Sequence, residues 1–138
     1  MENCKLNNKW NEIQNLNWYD LAKSHKTKNA NASLARILMS KYTTEEIAEL
    51  LNFVIDKRRK MCDFIYQWLD ENNIKGNVFR RSDDGIWDLS SHIVGLGYSM
   101  YETVLKHPTI LLELQNDYVE NFEYGFDEAI YKMANKDI

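Results

Sequence analysis

At 138 residues, with one proline and five glycines, the chain is about one domain long and too poor in turn-formers for the all-β classes. Its content of 44% hydrophobic and 12% aromatic residues excludes a disordered chain and predicts a packed core. The net charge of −4 conceals a polarity, since residues 1–81 hold 14 Lys/Arg against 10 Asp/Glu (+4) and residues 82–138 hold 3 against 11 (−8).

In chain order, Trp10, Ile13, Leu16, Trp18 and Leu21 predict one or two short helices, and residues 1–32 are expected as a peripheral, partly mobile segment. KSHKTKNANAS, residues 23–33, lacks large apolar side chains and reads as a loop before a helix from Ser33 to Lys41. Thr43 stands three residues ahead of Glu46, so each side chain can satisfy an orphan N–H where a helix begins near Thr44. Ile47, Leu50, Leu51, Val54, Met61, Ile65 and Leu69 then recur at three-and-four spacing, which predicts one long helix to about Asn73. Gly76 supplies the stop.

Ser82, followed by Asp83 and Asp84, marks the next N-terminus, because carboxylates favour the exposed N–H groups of a first turn. Ile86, Leu89, Ile93, Leu96, Met100, Val104 and Leu105 extend a second stripe to Lys106. Pro108 opens a short helix over 109–116, and Val119, Phe122, Phe126, Ile130 and Met133 mark the last. The fold expected is an all-α, single-domain bundle of about five or six helices. Its base would be an antiparallel pair, 44–73 with 82–106.

Cys4 and Cys62 show no CxxC or Cys/His spacing, and no basic start joined to an apolar run marks a leader. Free thiols in a reducing, cytoplasmic setting are expected. The longest apolar-rich window is interrupted by Asp88, His92 and Glu102, which argues against a membrane span.

Three constellations bear on chemistry. Asp84, Asp88 and His92 fall at i, i+4 and i+8 on one helix and supply O and N donors of the kind a divalent metal takes, although they span about 12 Å and would need ligands from another helix. The plainer reading is that the aspartates serve the helix terminus and Asp88 pairs with His92. Ser91, Gly95 and Ser99 leave a face nearly without side chains, where another helix, from this chain or a homodimer partner, would cross closely. Residues 43–60 partly resemble a helix-turn-helix, with Asn52 at the turn and Lys57, Arg58, Arg59 and Lys60 toward phosphates. Arg58 lies on the apolar stripe, however, and calls for a carboxylate from the acidic half, such as Asp88 or Glu102.

No nucleophile-and-base signature, phosphate loop or zinc spacing stands in the sequence, and no cofactor is expected. The reading favoured is a non-enzymatic protein-binding inhibitor or regulator of bacterial or viral type, facing a basic or nucleic-acid-binding protein. Its acidic and aromatic surface would comprise Gly95, Tyr98, Tyr101, Glu102, Glu120, Glu123 and Tyr124. The alternatives are a DNA-binding regulator using Lys57 to Lys60 and a metal-dependent enzyme using Asp84, Asp88 and His92.

Overall fold

The computed structural model describes residues 2–24, 29–74, 82–116 and 121–135, with side chains for 8–23, 30–74, 82–116 and 121–135. Every regular element among these is helical: α1 (Glu2–Asn15), α2 (Trp18–Ser24), α3 (Asn29–Lys41), α4 (Thr44–Glu71), α5 (Asp83–Gly95), α6 (Tyr98–Lys106), a 3-10 turn (Pro108–Ile110), α7 (Leu111–Leu114) and α8 (Glu123–Asn135). The architecture is an all-α bundle, more finely divided than the five or six helices expected. No described helix is long and apolar enough to cross a membrane.

The described part of the N-terminal segment contributes apolar side chains to the core. Asn17 takes φ 57° between α1 and α2, a conformation Asn tolerates, and the turn drives Ile13, Leu16 and Trp18 to 1% exposure or less. α3 starts at Asn29, ahead of Ser33, because Ala30 is fully buried. A small side chain contributes little to an apolar pattern, yet it lets two elements approach.

α4 is continuous from Thr44 to Glu71, and no turn interrupts it at 52–55. Thr43 Oγ1 accepts from Glu46 N at 3.2 Å while Glu46 Oε1 accepts from Thr43 N at 2.9 Å, the reciprocal cap worth about 1 kcal/mol. The helix closes before Gly76, which lies outside the described residues. Asn73 turns left-handed at φ 52°, and Ile74 N donates to Leu69 O at 3.0 Å, the six-to-one bond of a left-handed closure.

The second long helix is broken. Ser82 Oγ accepts from Gly85 N at 3.3 Å to start α5, but Gly97 sits at φ 104° and separates α5 from α6. An L side chain is strained at that φ, and a Cβ there would meet the Gln14 side chain. The apolar stripe resumes in α6, which is why the spacing alone read as one helix.

α8 packs against α3 and α4, and α4 against α5. Close approach of α3 and α8 rests on Gly125, where a Cβ would lie 2.6 Å from Leu34 Cδ2. Trp18, Phe122 and Phe126 form an aromatic ladder with centroids 5.1 and 5.2 Å apart, and Gly95 lies under it. At Gly95 the small-residue face of α5 is met by two rings, that of Trp18 from α2 and that of Phe122.

A methyl group at Gly95 would stand 2.5 Å from Trp18 Cδ1 and 2.9 Å from Phe122 Cγ. Gly95→Ala should therefore destabilise the fold by about 1–3 kcal/mol through overpacking, seen as a lower urea midpoint at unchanged slope. An unshifted midpoint would show that the rings can move aside.

Candidate functional site

The site grows from a charge that the core must hold. Arg58 lies on the inward stripe of α4, and its Nε and Nη2 donate to Glu123 Oε2 and Oε1, each at 3.1 Å. The two side chains are 5% and 8% exposed, so this is a buried bidentate pair. The carboxylate comes from the acidic half as expected, but it is Glu123, not Asp88 or Glu102. Glu123 opens α8, where a helix N-terminus favours negative charge. Its N–H donates to Asn121 Oδ1 at 2.9 Å, and Asn121 Nδ2 donates to Asp88 Oδ1 at 2.8 Å. The Arg58 guanidinium carbon also lies 3.5 Å from the centroid of the Trp87 ring, close enough for strong cation–π attraction.

Asp84, Asp88 and His92 do not converge. Four residues exceed one helical turn by about 40°, so the row drifts from exposed Asp84 through half-buried Asp88 to buried His92. Asp88 is engaged with Asn121 and not with His92, while His92 Nδ1 accepts from Trp18 Nε1 at 3.0 Å. An indole N–H only donates, so this nitrogen carries no proton. Among the described residues no three acidic, His or Cys side chains are placed to hold a metal.

Outside the Arg58–Glu123 pair lies an open groove of ≈ 560 Å³ between α4 and α5, lined by Arg58, Arg59, Cys62, Asp63, Tyr66, Asp83, Asp84 and Trp87. Trp87 and Tyr66 keep 47% and 42% of their surface exposed. Tyr66 Oη donates to Asp83 Oδ1 at 2.5 Å, and this bond, with some help from burial, pushes its phenol up to about 12. Burial pushes the Cys62 thiol up, against Ser90 and Arg58. Neither Asp63 nor Asp84 forms a hydrogen bond or ion pair with a described residue. Since Glu123 neutralises Arg58, the groove carries three aspartates against Arg59 alone. A groove of ≈ 680 Å³ between α1 and α4 is also acidic, but there Glu46 caps α4 and Glu49 meets Lys9 at 3.8 Å.

The residues expected to form a binding surface are divided. Tyr98 and Glu102 are on α6, with Tyr98 Oη donating to Glu102 Oε1 at 2.8 Å. That bond and Lys106 hold the Glu102 carboxyl below its ordinary range. Tyr124 is exposed on α8. Gly95, Tyr101 and Glu123 are instead buried, Gly95 under two rings, Glu123 on Arg58, and Tyr101 with its hydroxyl donating to Lys57 O at 3.2 Å. Glu120 lies outside the described residues.

The basic run is divided as well. Arg58 points inward, Lys57 lies 5.4 Å over the Phe53 ring, and Lys60 pairs with Asp56 at 3.2 Å. α4 is unbroken where the turn of a helix-turn-helix would fall, and Arg58 is bound to Glu123, while Arg59 lines the groove between α4 and α5. Tyr66, Asp63, Asp83 and Trp87 were not anticipated as a site. The available signal was Trp87 itself, a large ring between Asp84 and Asp88 and off the apolar stripe of α5.

Breaking a buried pair leaves an uncompensated charge, so Arg58→Met or Glu123→Gln alone should each cost about 3–5 kcal/mol. Arg58→Met with Glu123→Leu should recover most of that loss in urea unfolding. A double-variant loss equal to the sum of the two single losses would show that the pair is not coupled. In a second measurement, the Tyr66 hydrogen bond should stabilise the fold fully below the ordinary tyrosine value of 10.0 and be lost as pH rises toward about 12. An ultraviolet titration of Asp83→Asn should accordingly show one phenol ionising earlier than in the unmutated protein.

No protein-family model, curated protein or solved structure matches this chain.

Proposed function

We propose that the protein is a non-enzymatic inhibitor or regulator that binds a basic partner protein through the acidic and aromatic groove of α4 and α5. The observation that carries this reading is Trp87: a tryptophan set against Arg58 at 3.5 Å, yet 47% exposed beside three aspartates. Tryptophan is enriched among the anchors of protein interfaces. The side chains best suited to proton chemistry are engaged elsewhere, Glu123 with Arg58 and His92 with Trp18. Opposite charge on the partner would speed encounter and make binding fall with salt.

A photo-crosslinking residue at Tyr66 should capture a basic protein from host lysate, whereas one at Tyr131 on α8 should not. With that partner purified, Trp87→Ala should weaken binding by about 30-fold, as expected for an interface hot spot. Capture from both positions, or a purified partner that binds the Trp87→Ala protein equally well, would refute the reading.

A further inference from the structure

We infer that the group recognised in this groove is the guanidinium of a single arginine presented by the partner, stacked on the exposed surface of Trp87 and held by Asp63 and Asp84. The inference rests on the binding reading above and specifies its chemistry. The Trp87 indole already accepts a guanidinium on one face, with the Arg58 carbon 3.5 Å from its centroid, so its geometry suits a planar cation. That resident charge does not repel another, because both oxygens of Glu123 bind it at 3.1 Å. A stacked Arg58 also fixes the ring, so little side-chain freedom is lost when a second group lands.

The carboxylates supply the complement. Asp83 gives one oxygen to Tyr66, while Asp63 on α4 and Asp84 on α5 have no partner among the described residues. Charges on two helices facing one groove present acceptors from both sides of a bound cation. A guanidinium is weakly hydrated, flat and able to bond two acceptors at once, whereas an ammonium is a strongly hydrated point charge. The groove thus favours arginine over lysine.

The test uses the full chain and three short acetylated peptides differing in one residue, arginine, lysine or norleucine, followed by the Trp87 indole N–H in nitrogen-15 correlation spectra. The arginine peptide should shift Trp87 and its neighbours in the groove and bind more tightly than the lysine peptide, and norleucine should produce no shift. Asp63→Asn and Asp84→Asn, both exposed and outside the core, should each weaken the arginine peptide by about two- to fivefold, the range for exposed charge pairs. Lysine binding as tightly as arginine, shifts equally strong around Tyr42 and Glu49, or unchanged affinity in both Asn variants would overturn the inference. A basic partner captured through Tyr66 without any arginine-peptide binding would overturn this inference alone and leave the binding reading standing.

Discussion

The structure depends on one buried charge. Arg58 interrupts an otherwise apolar stripe on the longest helix, and a guanidinium inside a small core is tolerable only if a carboxylate meets it with good geometry. Glu123 does so with both oxygens, which places the first turn of α8 against the middle of α4. Further hydrogen bonds extend outward from there. Asn121 holds the Glu123 N–H and reaches Asp88 on α5, so a single chain of contacts ties together three helices from both electrical halves of the protein.

A buried ion pair is weak evidence for stability, because apolar residues of similar volume often do as well. Its consequence here is specificity of register. The two-point contact of Arg58 with Glu123 sets α8 against α4, and Gly125, where a Cβ would meet Leu34, sets it against α3; sliding α8 would break the first contact and bring a Cβ into the second. Gly95 does similar work on α5, since a Cβ there would meet the Trp18 and Phe122 rings.

The same pair shapes the surface. Arg58 is nearly inaccessible but its guanidinium forms the floor on which Trp87 rests. The indole is consequently in contact with the core pair on one side and 47% exposed. Satisfying Arg58 internally also removes its charge from the groove, leaving the aspartates of α4 and α5 to set the sign of the field there. In this way a core requirement and the proposed binding surface are two sides of one contact.

Sequence alone determined those features that depend on local chemistry. The Thr43–Glu46 cap, the unbroken α4, the Ser82 start of α5 and the need of Arg58 for a distant carboxylate all follow from periodicity, capping and the cost of a buried charge. Tertiary structure decided the rest. A stripe of apolar residues continues unchanged across Leu96 and Gly97, so the break between α5 and α6 shows only in a backbone angle that Gly97 allows, at a place where a Cβ would meet Gln14. Asp84, Asp88 and His92 share a spacing but not a depth, because the helix turns them from solvent into the core. Which acid meets Arg58, and whether Tyr101 or Trp87 is the exposed ring, depends on how α4, α5, α6 and α8 are set against one another, and that placement arises from contacts between residues far apart in the chain.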